Sequence, residues 1–278
     1  MKIGNFEVNI ISDGTFKLDG GGMYGIVPKA LWEKRTPADA QNRITLGMNC
    51  LLVQTGKKNY LIETGIGSGY TEKFKSIYDI HGGNRLIPGL AKLGVIPEEI
   101  HGVIVTHLHF DHAGGCTICG VDGKPVPAFP KAKYFIQKQE WHDAMHPNEL
   151  TDGSYLDEKF LPIKSRKSLE LIKGDAKIDK GIQVQLTGGH TKGHQIVWIE
   201  SEGKKACFLG DFIPTTNHLK LAWVMAYDSY PIELVNLKRS ILAKLVEEKC
   251  YCFWYHDPNI AVSCLGLDTK GNAVVKAI

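Results

Sequence analysis

The apolar positions of this chain fall mostly in short runs bounded by glycine, proline and polar residues, a pattern typical of β-strands. Residues 2–12 alternate well enough to predict a first strand, and Asp13 and Gly14 predict the turn that follows it. The two apolar runs on either side of residues 55–58 predict a hairpin. The strands predicted after the first are 50–54, 59–63, 103–106, 133–136, 168–172, 182–186, 195–200, 205–209, 251–255, 261–265 and 273–278.

Helical patterns are fewer, and only one of them is long. Pro231 opens it, and an apolar stripe then follows one face of the predicted helix. The stripe consists of Leu234, Leu237, Ile241 and Leu245, with Lys238, Arg239 and Glu248 predicted to lie outside it. Short helices are predicted at 71–80, 87–93 and 137–146. The stripe indicates core packing.

Two stretches lack a clear period. Residues 20–49 begin with three glycines and contain Pro28 and Pro37, which predicts a long loop over one face of the molecule. Residues 148–166 are rich in turn-forming residues and predict an ordered loop or lid.

Length and composition restrict the class of protein. A chain of 278 residues with 43% apolar content can bury a substantial core, and we expect a single domain over residues 1–278. The net charge of +3 is too small and too dispersed for a nucleic-acid surface, so we expect a small-molecule substrate. We find no secretory signal pattern and no apolar stretch of membrane-spanning length, and we expect a cytoplasmic protein with no membrane partner.

The seven cysteines are an odd number and are spread widely, which fits a reducing compartment. Cys116 and Cys119 form a CxxC pair, and Cys250 and Cys252 form a CxC pair. The two pairs together are a candidate structural zinc site. The alternative is that all four are buried or tolerated thiols.

Residues 106–112, with the sequence THLHFDH, carry the densest chemistry in the chain. The segment places His107, His109, Asp111 and His112 directly after an apolar run. Imidazole and carboxylate groups are common zinc ligands. Because alternate residues of an extended segment point in opposite directions, four ligands this close favour two metal ions over one.

Three apolar strands end on a residue that can bind a metal. Residues 103–106 lead into His107, residues 206–210 into Asp211, and residues 251–255 into His256. A glycine-rich segment at 188–194 adds His190 and His194. Since loops at a sheet edge gather residues from distant parts of a chain, these segments are expected to converge.

The order of these motifs resembles the metallo-β-lactamase superfamily: HxHxDH, then GHTxGH, then Gly-Asp after a strand, then a late histidine. The resemblance covers nearly the whole chain. It implies an α/β (α+β) protein built as a four-layer αββα sandwich, in which two mixed sheets face each other with helices outside. It also implies a dinuclear metal centre at one edge of the sheets, with zinc expected and iron or manganese as alternatives.

The resemblance also assigns roles to individual residues. The first metal would be held by His107, His109 and His190, the second by Asp111, His112 and His256, with Asp211 bridging both. His194 would shape its turn or support a ligand. The superfamily usually has aspartate where this chain has Glu63, so Glu63 is a candidate supporting residue.

Such a site implies hydrolysis by a metal-bridging hydroxide, with Asp111 and Asp211 as the catalytic carboxylates and Asp111 able to take the proton after attack. Redox members of the superfamily usually carry glutamate at the position of His109, and many penicillin-degrading members carry cysteine at that of Asp211. The motifs look most like the lactonase-related branch. A lactone is therefore the expected substrate, with a glyoxalase-II-like thioesterase or a phosphotriesterase as alternatives and an iron-loaded oxidoreductase or dioxygenase as the rival class.

One departure concerns the substrate pocket. Acyl-homoserine lactonases of this type carry a tyrosine three residues after the bridging aspartate, and this chain has Pro214 there. Tyr227 and His218 are the candidates to replace it. Trp223, Met225 and Tyr227 are expected either to line an apolar pocket or to pack in the core or in the interface of a homodimer.

Overall fold

The computed structural model describes residues 1–166, 168–276 and 278, without the side chains of 165 and 166. The strands, in chain order, are β1 Lys2–Ile3, β2 Phe6–Asp19, β3 Arg43–Gln54, β4 Asn59–Ile62, β5 His81–Gly82, β6 Ile100–Ile104, β7 Thr117–Cys119, β8 Pro125–Pro127, β9 Lys133–Gln137, β10 Leu169–Ile172, β11 Ala176–Asp179, β12 Ile182–Leu186, β13 Gln195–Ser201, β14 Lys204–Phe208, β15 Tyr251–Phe253, β16 Val262–Leu267 and β17 Ala273–Lys276. The predicted last strand extends to 278, and position 277 lies outside the described residues.

Helices occupy the connections between these strands. The α-helices are α1 Gly20–Tyr24, α2 Lys29–Trp32, α3 Glu72–Tyr78, α4 Leu86–Lys92, α5 Phe110–Ala113, α6 Lys138–Met145 and α7 Pro231–Glu247. Short 3₁₀ helices lie at Pro97–Glu99, Gly114–Cys116, Asp157–Lys159, Leu161–Arg166, Gly210–Phe212 and Thr216–Leu219.

Most strands belong to two mixed sheets. The first sheet has the order β1-β2-β3-β4-β6-β9-β10, with β5 paired to β2, and the second runs β11-β12-β13-β14-β15-β16-β17. Neighbours are parallel from β4 through β6 and β9 to β10, and again between β14 and β15. The predicted hairpin is present, because β3 and β4 pair antiparallel.

The second sheet buries both of its faces. Along β13, Val197 and Ile199 join the core shared with the first sheet, while Ile196 and Trp198 join the core beneath α7. This alternation is the period of two expected of a strand between two apolar layers. On the other side of the molecule α3 and α4 pack against β2, and α6 packs against β9. The layer order is therefore the αββα order that the motifs predict.

Helix α7 matches its predicted apolar stripe with one correction. Leu234, Ile241 and Leu245 are buried, whereas Lys238, predicted outside the stripe, is only 1% exposed. Its ammonium group donates hydrogen bonds to the carbonyl oxygens of Lys220 and Trp223, at 3.0 and 2.9 Å. Because the two carbonyl oxygens accept hydrogen bonds from the ammonium group, a lysine can be buried at this position. Burial lowers the pKa of Lys238 to about 7.

The structure corrects two expectations near the amino terminus. Asp13 and Gly14 form a bulge within β2 instead of a turn, since β2 continues to Asp19 on both sides of a register shift against β3. Asp13 is buried and accepts backbone hydrogen bonds from Gly67, Arg85 and Leu86. The predicted loop 20–49 instead contains α1, α2 and the first half of β3.

The predicted loop 148–166 is largely exposed over residues 148–153 but packs against the core over residues 155–163. Tyr155, Phe160 and Ile163 are buried in the main core. The backbone N–H of Phe110 also donates to the carbonyl oxygen of Ser154 at 3.0 Å. This hydrogen bond joins the segment to the histidine cluster, which consists of His107, His109, Asp111 and His112.

The two sheets are joined just behind that cluster. The side-chain amide of Gln195, on β13, donates to the carbonyl oxygen of Val105 at 2.9 Å and accepts from the amide of Gln137 at 2.9 Å. The backbone N–H of Gln195 donates to the carbonyl oxygen of Thr106 at 3.0 Å. The carboxyl ends of β6 and β14 therefore meet at one edge of the sandwich.

The packing of α7 generates a stability prediction. Leu245 is fully buried, so Leu245→Ala should lower the free energy of unfolding by about 2–5 kcal/mol, the usual range for a large-to-small core substitution. Ile232 lies on the same helix but is 71% exposed, so Ile232→Ala should change it by no more than about 0.5 kcal/mol. Urea denaturation followed by circular dichroism measures both values, and similar losses in the two variants would contradict the packing described for α7.

Candidate metal centre

Within the histidine cluster, His107 and His109 lie in the loop between β6 and α5, and Asp111 and His112 lie in α5. His107 and His112 are fully buried and Asp111 is 6% exposed, while His109 is the most open of the four. Gly114 and Gly115 follow α5 and pack directly against backbone, because a Cβ added to either would lie 2.0 or 2.2 Å from the carbonyl oxygen of Ile66 or Thr64. Only glycine permits this approach, which holds the cluster against the segment after β4.

One group of ligand atoms combines His107, His109 and His190. Nδ1 of His109 lies 3.2 Å from Nε2 of His190. His190 comes from the turn between β12 and β13, so this group joins the two sheets. The members are the three residues predicted to hold the first metal.

A second group combines Asp111, His112 and His256. Nε2 of His256 lies 3.2 Å from Nε2 of His112 and 3.3 Å from Oδ2 of Asp111. His256 follows β15 and is positioned by β3, because its Nδ1 lies 2.9 Å from the carbonyl oxygen of Gly47. These are the three residues predicted to hold the second metal.

Asp211 stands between the two groups. Its Oδ2 lies 3.4 Å from Nε2 of His190 and 4.0 Å from Nε2 of His107. Its Oδ1 lies 3.2 Å from Nε2 of His112 and 3.1 Å from Nε2 of His256. The two oxygens of one carboxylate therefore face different groups, which is the geometry of a bridging ligand.

The chemistry of the donor set fits metal ions. Nε2 of His107 is buried and has no hydrogen-bond partner, a costly arrangement unless a cation is bound there. Burial, with the charges of neighbouring imidazoles, holds the pKa of His107 well below its usual range, and burial lowers that of His109 to about 3. Both rings are therefore neutral, as metal ligands must be.

The second group carries the opposite electrostatic signal. Burial alone would lower the pKa of His256, but the charges of Asp211 and Asp111 outweigh it and raise the pKa to about 9. The same negative potential attracts a divalent cation. The side chains at this edge thus fit divalent metal ions.

Several residues hold the ligands in place. Nδ1 of His190 lies 2.9 Å from Oδ1 of Asp228, whose own side chain is 1% exposed. Such a carboxylate orients the imidazole and strengthens it as a ligand. Asp228 is not predicted from the sequence, because it lies in the segment 214–230 and carries no motif signal of its own.

Glu63 and His194 lie where they support ligands. Oε1 of Glu63 accepts the backbone N–H of Thr106 at 3.0 Å and lies 3.5 Å from Nδ1 of His112. Nε2 of His194 accepts the backbone N–H of Asp211 at 3.1 Å, while its Nδ1 lies 2.6 Å from Oγ1 of Thr187. His194 thus orients the backbone of Asp211, since both of its ring nitrogens are engaged.

The candidate pocket residues separate into two kinds. Trp223, Met225 and His218 are buried, and His218 stacks on Tyr24 with ring centroids 4.8 Å apart. Both nitrogens of His218 are engaged, Nδ1 with Thr215 at 2.8 Å and Nε2 with the carbonyl oxygen of Met23 at 2.8 Å. Tyr227 remains 42% exposed. These contacts favour Tyr227 over His218 as a substrate-facing group.

The cysteine pairs lie in different parts of the fold. Cys116 and Cys119 belong to the segment of β7, whereas Cys250 and Cys252 lie at and within β15, beneath α7. Among the residues that the structure describes, no cysteine belongs to a group of ligand atoms close enough to hold a metal. The alternative of buried or tolerated thiols fits this placement.

The unpartnered nitrogen of His107 generates a prediction. His107→Ala should reduce the zinc content of zinc-loaded, dialysed protein by at least one ion per chain, because it removes one of the three imidazoles of its group. His81→Ala is the control, since His81 lies on β5 with a side chain 68% exposed. Elemental analysis by mass spectrometry gives the ratio of zinc to protein. Unchanged zinc in the His107 variant would exclude this residue as a ligand.

Comparison with known proteins places this geometry in a family. The model of the metallo-beta-lactamase superfamily matches residues 45–252. An N-acyl homoserine lactonase of Bacillus thuringiensis is 28% identical over 233 residues, which cover 80% of this chain and 85% of the relative. The N-acyl homoserine lactonase AttM of Rhizobium radiobacter is 26% identical over 174 residues, 60% of this chain and 62% of that relative.

Solved structures of hydrolases share the fold of this chain. A probable metal-dependent hydrolase from Staphylococcus aureus is 33% identical with a TM-score of 0.92, covering 100% of this chain and 99% of that one. The dizinc quorum-quenching lactonase AidC shares the fold with a TM-score of 0.80 at 21% identity, over 100% of this chain and 96% of its own. Among the described residues, no helix has the length and apolar character needed to cross a membrane.

These findings confirm the predicted sandwich and the predicted enzyme class, a metal-dependent hydrolase acting on ester bonds. The family model spans three quarters of the chain and includes six of the seven predicted ligands. This protein therefore belongs to the metallo-beta-lactamase superfamily.

Proposed function

We propose that this protein is a lactonase that uses two zinc ions to open the ring ester of an N-acyl homoserine lactone. The observation that carries the proposal is the position of Asp211, with one carboxylate oxygen toward each group of ligand atoms. The similarity to N-acyl homoserine lactonases supports the choice of substrate class. All seven proposed ligands come from one chain, so the site needs no second subunit.

When bound, two zinc ions supply an activated water as the nucleophile and a Lewis acid for the ester carbonyl. The chain's own contribution begins with Asp211, which keeps the two ligand groups at a fixed separation. Asp111 lies at the more open side of the second group, and its carboxylate takes up the proton released on attack. The buried Asp228 keeps the imidazole of His190 in one orientation throughout.

Aromatic side chains adjoin the second group of ligand atoms. The ring of Phe16 lies 5.6 Å from that of His256 and 6.3 Å from that of Phe110. Phe16 and Phe110 are buried in the core, so the partly exposed Tyr78, with its ring 5.0 Å from that of Phe110, is the member of this set that can contact an apolar acyl chain. Apolar and aromatic surface next to a few polar groups is typical of small-molecule sites.

Acyl-homoserine lactonases carry a tyrosine at the position of Pro214, and Tyr227 is the residue proposed to take its role here. The segment 224–228 docks on α1, where the backbone N–H of Ala226 donates to the carbonyl oxygen of Gly22 at 2.8 Å. A Cβ at Gly22 would lie 2.2 Å from the hydroxyl oxygen of Tyr227, so the absent side chain makes room for the phenol. Burial, together with the charges of Asp19 and Asp111, raises the pKa of Tyr227 to about 12. The phenol therefore stays protonated and can donate a hydrogen bond to substrate.

The substrate class is tested with a panel. Zinc-loaded protein is expected to hydrolyse N-acyl homoserine lactones of several chain lengths faster, by kcat/KM, than S-acyl-glutathione or a phosphotriester. Proton release in weakly buffered solution reports all three reactions. A preference for the thioester or the phosphotriester would replace the lactone as substrate. Stoichiometric iron with visible absorption in protein as purified, and no hydrolysis, would instead favour the oxidoreductase class.

The role of Tyr227 has its own test. Tyr227→Phe keeps the ring but removes the hydroxyl donor, so kcat for a lactone should fall by about 10²-fold, as for a lost donor in other hydrolases. Tyr230→Phe is the matched control, because Tyr230 lies three residues away and is 38% exposed. Steady-state kinetics at saturating zinc compares them. Equal rates in both variants would leave Tyr227 without a catalytic role.

A further inference from the structure

Glu140 is a buried acidic residue that the proposed reaction does not use. It lies in the first turn of α6 and is 0% exposed. Burial raises the pKa of its carboxyl group, against the hydrogen bonds that it accepts. A carboxyl group in the interior is costly unless both of its oxygens are engaged. Its partners therefore indicate why it is there.

Both oxygens of Glu140 accept hydrogen bonds. Oε1 accepts the backbone N–H of Leu108 at 2.9 Å and the hydroxyl of Tyr155 at 3.0 Å. Oε2 accepts the hydroxyl of Thr191 at 2.5 Å. Three donors from three separate segments therefore converge on one side chain.

These three segments surround the first group of ligand atoms. Leu108 lies between His107 and His109, so its N–H belongs to the backbone that sets the spacing of those two imidazoles. Thr191 directly follows His190. The ring of Tyr155 lies 5.1 Å from that of His109. Glu140 thus contacts a neighbour of every imidazole in the group.

A close backbone contact keeps this arrangement rigid. A Cβ added to Gly193 would lie 2.3 Å from the backbone nitrogen of Glu140, so the turn that carries His190 rests directly on α6. The hydrogen bond from Thr191 to Glu140 then fixes the rotation of the turn. Since a ligand must be held within a fraction of an ångström, such contacts govern metal affinity.

The second group is supported by different residues. The hydroxyl of Tyr255 donates to the carbonyl oxygen of Asp111 at 2.5 Å. Nδ1 of His256 lies 2.9 Å from the carbonyl oxygen of Gly47, and Nδ1 of His112 lies 3.5 Å from Oε1 of Glu63. Oε1 of Glu63 also accepts the backbone N–H of Thr106, next to His107. Apart from Glu63 and Asp211, the two halves of the centre therefore rest on separate supports.

We propose that Glu140 is the positioning residue of the first metal site, acting through Leu108, Thr191 and Tyr155 on His107, His109 and His190. The inference rests on the proposed function only in that two metal ions are bound. Loss of these hydrogen bonds weakens metal binding at the first site and spares the second.

The experiment measures zinc binding alone, with no substrate, so it is independent of the choice of lactone. His256→Ala leaves the first group complete, and His109→Ala leaves the second group complete. Glu140→Leu is then added to each. Zinc affinity is measured by competition with a chromophoric chelator, and the visible spectrum of bound cobalt reports the ligand geometry.

In the His256→Ala protein, Glu140→Leu should weaken zinc binding by about 10- to 100-fold, the usual effect of removing a residue that orients a ligand. It should also change the cobalt spectrum. In the His109→Ala protein it should change neither. Glu140→Gln should restore affinity, because the amide oxygen accepts from Leu108 and Tyr155 while the amide nitrogen donates to Thr191. Equal weakening in both backgrounds, weakening in neither, or a Gln variant as weak as the Leu variant would overturn the proposal.

Two further variants separate positioning from general loss of stability. Asp13→Leu removes another fully buried carboxyl group with three hydrogen bonds, all from backbone N–H groups outside the ligand segments. It should lower thermal stability, and its effect on zinc affinity should be the same in the His256→Ala and His109→Ala proteins. Thr191→Val removes only the hydrogen bond to Oε2 of Glu140 and nearly preserves shape, so it reports on the network even if Glu140→Leu does not fold. It should weaken zinc binding only where the first group is intact, and weakening confined to the other background would contradict the proposal.

Discussion

The carboxylate of Asp211, placed between two groups of buried ligand atoms, is the interaction on which the rest of the site depends. Four imidazole nitrogens lie within about 4 Å of it, and the carboxylate of Asp111 lies 3.7 Å from Nε2 of His112, all in a buried space. Burying polar atoms without partners is costly, and removing one partner of a buried pair commonly costs about 3–5 kcal/mol. The arrangement is stable only if the surrounding fold holds every ligand in place and if cations complete it.

The fold meets this requirement by bringing strand ends together. β6 ends beside the histidine cluster, β14 ends before Asp211, and β15 ends before His256. Because strands β14 and β15 are parallel neighbours and β6 belongs to the facing sheet, their carboxyl ends lie at the same edge. Gln195 closes the seam between the sheets directly behind the site. The glycines of the adjoining turns let backbone segments pack where a Cβ would collide.

The residues that hold the metal ligands in place differ from those proposed to face the substrate. Glu140 and Asp228 adjoin the first group, Gly47 and Tyr255 adjoin the second, and Glu63 lies between them, against Thr106 and His112. The exposed surface proposed to face substrate comes from other segments, which carry Tyr78 and the half-exposed Tyr227. A change of substrate within this fold can therefore occur in the loops without disturbing the metal ligands, which is consistent with the many activities that one scaffold supports.

What the sequence by itself determined was local. The hairpin, the apolar stripe of α7 and the strand ends before His107, Asp211 and His256 follow from periodicity and turn chemistry, which neighbouring residues control. The order of the motifs also sufficed to predict the family and the layers. Only the tertiary structure decided what depends on contacts between distant segments: the burial of Lys238, the bulge at Asp13, and the placement of Asp228 and Glu140 beside the ligands. Lys238, Asp228 and Glu140 carry no motif signal, because the partners described above lie 15 or more residues away in the chain and become neighbours only in the folded protein.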